Sequence, residues 1–331
     1  MLIKEMNAIL VADDLVDFLE DHPEHPALVH SVFPHAVNFL IEGEELITLT
    51  NQDDITPMGL LVDSRVSFRQ YLKPGDKLVL DVDRVTTVKG VFAVNLREAQ
   101  VWQTRSWMHL TPRPIEELDQ LNLELSNWLL NQPALGLLPL LPRLMRCSTN
   151  STMVKDNLYS RYIADDLEAF TIAIQTSEWE RALELADHLI GFGMGSTPAC
   201  DDFLAAYLII FKIADELIPG RFPWVREFNQ AIASKAKERS TLISANMLRH
   251  AGDGKTSRSH QDLIQACLFN EKSDLEKLAS RVIRHGATSG GDFLLGLVCA
   301  LDWYRTVMME YTKEGEQAWV ESVRLQSVPS I

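Results

Sequence analysis

The sequence lacks several features that would assign it to a class at once. Its four cysteines are widely spaced, with no Cys-x-x-Cys pair and no cysteine and histidine spacing of a zinc site. It has no cluster of five or more Lys and Arg, and 46 acidic against 31 basic residues give a formal net charge of −15. We therefore expect reduced thiols, and neither nucleic acid nor an anionic membrane as a partner.

Long hydrophobic runs are also missing. The longest, residues 203–211 and 293–301, are much shorter than the ~20 residues of a membrane span, so they predict buried helices. Residues 1–6 show no basic region followed by an apolar stretch and a cleavage site, which favours a cytoplasmic location. What the chain does have is 331 residues that are 46% hydrophobic, enough for two packed domains.

The first third of the chain predicts a small β domain, residues 1–108. Turn formers such as Glu42-Gly43-Glu44 and Lys73-Pro74-Gly75-Asp76 separate short runs rich in β-branched residues. Their number and spacing are typical of an antiparallel sandwich or barrel. The predicted strands are residues 27–33, 36–41, 46–50, 77–82 and 91–96.

The rest of the chain, residues 109–331, predicts a larger all-α domain, so the fold class is α+β. Thr111-Pro112 resembles an N-cap followed by a first-turn proline, and residues 131–142 hold too many prolines for one regular helix. The predicted helices are residues 156–176, 178–190, 198–218, 224–251, 274–285 and 291–309.

Two glycine-rich and hydroxyl-rich loops are the strongest functional signal. Loop 1 (residues 191–202) reads GFGMGSTPACDD and loop 2 (residues 285–292) reads HGATSGGD, and both lead into Phe-Leu and an apolar helix. Aligning Asp202 with Asp292 superimposes Asp-Phe-Leu on Asp-Phe-Leu. Bare N–H groups, a helix N-terminus and hydroxyls favour an anion, so two facing loops would form an oxyanion site.

A simpler interpretation of the same residues stays open. Gly191 and Gly286 are also expected as C-caps, Thr197 and Thr288 as N-caps, and the aspartates as first-turn acids that complement the helix dipole. The loops hold more glycines and caps than a plain helix–helix turn needs, which favours a site. The glycines follow a helix instead of a strand, so a dinucleotide-binding motif is not indicated.

The predicted catalytic residues are Asp202, Asp292 and His285, although a positive side chain at the C-terminal end of a helix is also explained by the helix dipole. No metal ligand is assigned, with Mg²⁺ at Asp201 and Asp202 kept as an alternative. The predicted substrate-binding residues are Gly193, Gly195, Ser196, Thr197, Asp201, Arg239, Ser240, Thr241, Ser244, Thr288, Ser289, Gly290, Gly291 and Asn38.

Loop 1 resembles the family typified by AllH, the third subunit of the oxamate carbamoyltransferase of allantoin breakdown, whose members carry a segment close to GLGPGLTPSGDDFLAG. Ten positions between Gly191 and Ala205 match, and residues 288–292 look like the family's Thr-Ser-Gly segment. Weaker agreement extends from His30 to Asn38 and through residues 241–252. The departures are Met194 for proline, Ser196 for leucine, and Ala199-Cys200 for serine-glycine.

The resemblance implies carbamoyl transfer between carbamoyl phosphate and a small amide acid, alongside other subunits of a complex. The chain has neither the Ser-Thr-Arg-Thr loop nor the His-Pro-x-Gln motif of common transcarbamoylases. We therefore expect an enzyme subunit that binds a small anionic metabolite and needs no organic cofactor. A non-catalytic assembly or regulatory subunit, and a Mg²⁺-dependent hydrolase, remain alternatives, and self-association is left open.

Overall fold

The computed structural model describes residues 4–104, 107, 109–145, 157–269 and 273–326, and for residues 312–326 it describes the helix backbone only. Cys147 and the predicted helix start at residue 156 lie outside the described residues. The α+β prediction is confirmed: strands dominate up to Trp102 and helices follow. In the described part of the chain no helix is long and apolar enough to cross a membrane.

A closed barrel forms the first part of the fold. Its sheet runs in the order β5-β4-β3-β2-β6-β7-β8-β1, and a pairing of β1 with β5 closes it, while the short β9 extends the sheet beside β1. A helix, α1 (Asp13–Asp21), follows the first strand. The strands are β1 (Lys4–Ala12), β2 (His25–Val32), β3 (Ala36–Leu40), β4 (Leu46–Thr50), β5 (Gly59–Val62), β6 (Lys77–Asp81), β7 (Arg84–Thr87), β8 (Phe92–Asn95) and β9 (Gln100–Trp102).

Most strand pairs are antiparallel, as predicted, but the sheet departs from this pattern at two places. The strand β1 runs parallel to β8 and β9, and β4 runs parallel to β5. A parallel pair cannot be joined by a tight hairpin, so the chain between β4 and β5 must cross from one end of the barrel to the other. That connection, residues 51–58, carries Asp54 and Met58 to the edge of the barrel that faces the helices.

Helices α2 to α11 make up the second part. Most predicted helices are present within a few residues, and residues 131–142 are indeed no regular helix. The helix at Arg258 was not predicted. The helices are α2 (Ile115–Leu130), α3 (Leu141–Leu144), α4 (Leu158–Gln175), α5 (Trp179–Leu189), α6 (Ala199–Leu217), α7 (Val225–Arg239), α8 (Leu242–Gly252), α9 (Arg258–Leu268), α10 (Leu275–Val282) and α11 (Ser289–Gln326).

Two helix boundaries correct the sequence prediction. The predicted helix 224–251 is divided because Ser240 has an extended backbone and the Thr241 side chain accepts a hydrogen bond from the Ser244 amide, which caps a new helix. The predicted start at Thr111 is also wrong. Pro112 pairs with Phe269 as an isolated β-bridge, and α2 begins at Ile115.

Each part has its own hydrophobic core. One cluster lies inside the barrel between Met6 and Leu96, and the other lies among the helices between Trp107 and Tyr304. The helix α6 is buried almost throughout and packs against α11, where a Cβ on Gly296 would lie 2.3 Å from the Phe203 carbonyl oxygen. This contact brings the N-terminal ends of α6 and α11 together, and the domain boundary at residue 108 itself remains a prediction.

Candidate functional site

A cleft of about 330 Å³ lies between the barrel and the helices. The barrel supplies Asn38, Thr48 and the end of the β4–β5 connection, and the helical part supplies both glycine-rich loops. This cleft is where we place the candidate site. Its polar lining residues are Asn38, Thr48, Thr56, Ser196, Thr197, Asp202, Asn246, His250, Lys255, Thr256, Ser257, His260, His285 and Ser289.

The glycines of loop 1 allow close approach of backbone segments. Gly191 and Gly193 have φ of +80° and +128°, and a Cβ on them would lie 2.3 Å from the Arg239 carbonyl oxygen and from the Ala199 amide nitrogen, respectively. Gly195 has φ +102° with open space around it. Two of the three glycines are therefore needed for packing, and their ligand-binding role remains a prediction.

Asp201 is a structural anchor at the start of α6. Its Oδ1 accepts the Gly191 amide at 2.8 Å, and its Oδ2 accepts the hydroxyls of Ser244, at 2.6 Å, and Ser240. Burial raises the pKa of Asp201, and the hydrogen bonds from these three donors lower it. Burial has the larger effect, so the net shift is upward. Asp201 thus ties loop 1 to the α7–α8 junction, outside the cleft lining.

Thr241 and Arg239 at the same junction also lie outside the cleft lining. The Thr241 hydroxyl donates to the Ser196 carbonyl oxygen, which fixes the middle of loop 1. Arg239 forms an ion pair with Asp187 at 2.6 Å, at the surface. The predicted hydroxyl face of Ser240, Thr241 and Ser244 therefore supports loop 1 from outside.

Asp202, the neighbour of Asp201, faces the cleft. It is only 4% exposed, its Oδ2 has no hydrogen-bond partner among the described residues, and the hydroxyls of Ser289 and Thr197 lie against its carboxyl group. Burial, and next the charge of Asp292, raise the pKa of Asp202 well above its usual value. The neutral acid is favoured there, so Asp202 can donate a proton to a bound group.

Loops 1 and 2 meet in the cleft, as the sequence predicts. The hydroxyls of Thr197 and Ser289 lie 2.9 Å apart. The glycines of loop 2 pack against other segments: a Cβ on Gly290 would lie 2.0 Å from the Val282 carbonyl oxygen, and one on Gly291 would lie 3.0 Å from the Leu138 side chain. Loop 2 therefore presents His285, Gly286 and Ser289 to the cleft, and packs Gly290 and Gly291 against the protein.

Asp292 points away from the cleft. Its Oδ1 accepts the Leu137 amide at 2.6 Å, while its Oδ2 has no partner among the described residues. Burial raises the pKa of Asp292 to about 7, against the Leu137 amide and the Thr288 hydroxyl, which lower it. Asp292 and Thr288 therefore lie behind the cleft wall, where the charge of Asp292 affects Asp202.

His285 lines the cleft next to residues that the sequence prediction missed. Its Nε2 lies 2.9 Å from Asp54 Oδ2 and 3.1 Å from the Ser259 hydroxyl. His260, in the first turn of α9, has its ring centre 5.0 Å from that of His285, and its Nδ1 lies 2.7 Å from the Ser257 hydroxyl. Asp54 and His260 carried no local signal, because they follow no recognisable motif.

The charges in this group differ strongly. Burial raises the pKa of Asp54, but the hydrogen bond and charge of His285, the charge of His260 and the Ser259 hydroxyl outweigh it, so the net shift is downward. Burial lowers the pKa of His260 to about 3, so its imidazole is neutral. The cleft therefore holds an ionised carboxylate beside a neutral imidazole.

Other cleft residues link the barrel to the helices. Lys255 forms an ion pair with Asp14 of α1 at 2.6 Å, and His250 Nε2 lies 3.1 Å from Glu45 Oε1. The Asn246 side chain accepts the Leu46 amide and donates to the Glu44 carbonyl oxygen. The sequence prediction missed these residues, whose partners lie between 200 and 241 positions away in the chain.

Asn38 is the one barrel residue that the sequence predicts in the site and the structure places in the cleft. It donates to the Ser31 hydroxyl and accepts from the Thr48 hydroxyl, both at 2.9 Å, so three neighbouring strands share a polar row. This row gives the apolar side of the cleft a hydrogen-bonding edge.

Two family models match the chain. Residues 189–301 match the model described as oxamate carbamoyltransferase subunit AllH, and residues 7–101 match the AllH family N-terminal domain. The chain belongs to the AllH family. No solved structure matches it. The first range contains loops 1 and 2 and the second contains Asn38 and Thr48, so the cleft is built from both AllH-family regions.

Within this AllH-family fold the predicted residues separate into two groups. Those in the cleft lining are Asn38, Ser196, Thr197, Asp202, His285 and Ser289. Those outside the lining are Gly193, Gly195, Asp201, Arg239, Ser240, Thr241, Ser244, Thr288, Gly290, Gly291 and Asp292. Most of the second group supports the first through hydrogen bonds or close packing.

Proposed function

We propose that this chain is a subunit of an oxamate carbamoyltransferase-type enzyme and that its cleft binds a small anionic metabolite such as oxamate or carbamoyl phosphate. The observation that carries the proposal is the contact of loop 1 with loop 2 at Thr197 and Ser289, directly against the carboxyl group of Asp202, whose pKa burial raises. The cleft volume of about 330 Å³ is at the lower end of ligand sites, which suits a small metabolite.

Hydroxyls and a neutral carboxyl group suit an anionic ligand better than ionised carboxylates would. A carboxylate or phosphate placed between Thr197 and Ser289 receives hydrogen bonds from both, and the protonated Asp202 adds a third donor. If Asp202 were ionised, it would repel the same ligand. The raised pKa of Asp202 is therefore part of the binding proposal.

Asp202 is also our proposed acid–base group. In the direction that forms carbamoyl phosphate, the substrate is the carbamoylated amide acid, and a phosphate oxygen attacks its carbamoyl carbon. The bond from that carbon to the amide nitrogen breaks. Neutral Asp202 gives its proton to the departing nitrogen. The reverse direction starts from the carboxylate that this step leaves, and the carboxylate takes the proton back from the attacking amide. Asp292 lies behind Asp202 and raises its pKa, so we assign it a positioning role.

The test uses the complete enzyme, reconstituted from this chain and its partner subunits, with Asp202→Asn. We expect carbamoyl transfer to fall at least ~100-fold, as for loss of a general acid–base group, with an unchanged melting temperature. Asp187→Asn, which weakens two surface ion pairs, with Lys235 and Arg239, is the matched control and should keep full activity. Full activity of Asp202→Asn with a normal fold would point to the non-catalytic subunit role.

Ligand binding is measured separately on the isolated chain. Carbamoyl phosphate, phosphate and oxamate are each added in a thermal-shift series, where ligand at 100 times its Kd stabilises the fold by about 2.7 kcal/mol. We expect at least one of them to raise the melting temperature, and Thr197→Val with Ser289→Ala to abolish the shift. No shift with any of the three would contradict the proposal that this cleft binds the anion.

A further inference from the structure

Asp54, His260 and His285 form a cluster at one end of the cleft. One ligand-type atom from each of the three residues lies within 4.8 Å of the others. They come from three separate elements: the β4–β5 connection, the first turn of α9, and loop 2. Two imidazoles and one carboxylate are the donor set of many divalent transition-metal sites.

We propose that Asp54, His260 and His285 bind a divalent first-row transition-metal ion, which is exposed to the cleft. This inference concerns metal binding by the isolated chain and does not rest on the carbamoyl-transfer proposal. With ligand bonds of about 2.0–2.2 Å, neighbouring ligand atoms lie roughly 3.0–3.5 Å apart. The 2.9 Å separation of His285 Nε2 and Asp54 Oδ2 is close to that spacing.

Groups around the cluster orient its members as the outer shell of a metal site does. The Ser257 hydroxyl lies 2.7 Å from His260 Nδ1, so Nε2 is the nitrogen left to face the ion. The Ser259 amide and hydroxyl donate to the two oxygens of Asp54, at 2.9 and 2.8 Å, and fix its plane. Partners of this kind fix the orientation of metal ligands in known sites.

The position of the cluster gives the ion a use. Lys255 is the only Lys or Arg among the described lining residues, and Asp14 already neutralises it. An ion with three protein ligands keeps open positions toward the cleft, where a small carboxylate with an adjacent oxygen donor can chelate it. The ion would then supply positive charge that the side chains of the cleft do not.

The proposed ion also predicts which class of carboxylate the cleft prefers. Two oxygens on adjacent carbon atoms close a five-membered ring with a metal, whereas a simple monocarboxylate offers only one strong donor. The cluster therefore predicts that metal-loaded protein binds α-oxo or α-amido carboxylates more tightly than acetate. Inorganic phosphate is the third probe, since it binds metals without forming such a ring.

The direct test is metal binding by the full chain after treatment with a chelator and dialysis. Mn²⁺, Co²⁺ and Zn²⁺ are titrated by calorimetry, and bound metal is counted by elemental analysis after gel filtration. We expect about one equivalent of at least one of these ions, and Mg²⁺ to bind more weakly, since imidazole nitrogen suits the transition ions better. If none of the three transition ions binds at about one equivalent, the proposal is overturned.

Variants locate the ion. Asp54→Asn and His260→Gln should each weaken binding at least 100-fold, whereas His250→Gln should leave it within twofold. His250 is the matched control, because it lines the same cleft but pairs with Glu45 instead of the cluster. Unchanged binding in folded Asp54→Asn and His260→Gln would place the ion elsewhere and overturn the proposal.

A spectroscopic measurement on the unmodified chain covers the case in which these variants fail to fold. Cu²⁺ in the site should show electron paramagnetic resonance splitting from two imidazole nitrogens. A signal without nitrogen coupling would overturn the assignment. Oxamate should shift the spectrum and acetate should not, which tests the chelation class apart from any turnover.

Discussion

Loops 1 and 2 each lead into a helix whose first turn reaches the same Asp-Phe-Leu tripeptide, but the two aligned aspartates have different surroundings. Asp202 faces the cleft beside two hydroxyls, while Asp292 turns toward the Leu137 amide behind it. The difference follows from what each helix start packs against. In loop 1, Asp201 accepts the hydrogen bonds from neighbouring segments of the protein, so Asp202 can face the cleft. Loop 2 has a single aspartate, Asp292, and it accepts a hydrogen bond from the Leu137 amide instead of facing the cleft.

The largest expected effect separates the two neighbouring aspartates of loop 1. Asp201→Ala removes the acceptor of three donors, of which the Ser244 hydroxyl is fully buried, and should lower the free energy of unfolding by about 4 kcal/mol. Asp202→Ala removes a carboxyl group that has one unpaired oxygen and only the Ser289 and Thr197 hydroxyls as partners, and should cost about 1 kcal/mol. Urea unfolding of both variants checks this. Equal losses would break the distinction between an anchor and a cleft residue.

Glycine substitutions test the claim that both loops use glycine for close packing. Gly191→Ala and Gly290→Ala each place a methyl group within 2.3 Å of a carbonyl oxygen and should cost about 3 kcal/mol. Gly195→Ala is the control, since it meets nothing closer than 3.9 Å and pays only for its positive φ, about 1 kcal/mol. Melting curves of the three proteins decide. A Gly195→Ala loss as large as the other two would contradict the packing argument.

The pH dependence of stability tests the buried position of Asp292. Its pKa is about 7 in the fold and about 4 when unfolded, so the folded state holds the proton more tightly and loses stability as pH rises from 4 through 7. Between pH 5.5 and 8 this loss is about 2 kcal/mol. Asp292→Asn should remove this pH-dependent loss. The free energy of unfolding of the variant minus that of the wild type should therefore increase as the pH rises. A pH-independent difference would place Asp292 in contact with water.

The smallest expected effect concerns the contact between the loops. Thr197→Val and Ser289→Ala each remove one hydroxyl of the 2.9 Å pair and should cost about 1 kcal/mol. The double variant should lose less than the sum of the single losses, because both remove the same interaction. A double-mutant cycle from denaturant unfolding measures this. Strictly additive losses would show that the two loops do not interact.

Much of the fold was predictable where the signal is local. The strand Leu46–Thr50 matches its predicted bounds because turn formers flank a short β-branched run. The strand β5 was missed because all four of its residues are buried, so it shows no alternation. Barrel closure by β1 and β5 depends on pairing between distant segments, which the chain order does not reveal.

The candidate site was predictable to the same limit. The glycines and hydroxyls of both loops stand together in sequence, and Thr197 and Ser289 do meet. Asp54 bonds to Ser259, which lies 205 positions away in the chain, and also lies beside His285. Only folding brings these three residues together, so the sequence gives no local signal for Asp54. The equivalence of Asp202 and Asp292 was misleading because a repeated sequence does not specify the neighbours that each copy packs against.

The Asn246 amide bears on which substitutions this protein can accept. It bonds to the backbone amide of Leu46 and the backbone carbonyl of Glu44, in the way a neighbouring strand would. Since backbone atoms are the same at every residue, no replacement in the barrel can compensate for loss of Asn246. The nearby Arg249–Glu45 pair is different, because a charge exchange can restore it. Across functional variants, position 246 should therefore be invariant, while positions 45 and 249 change together.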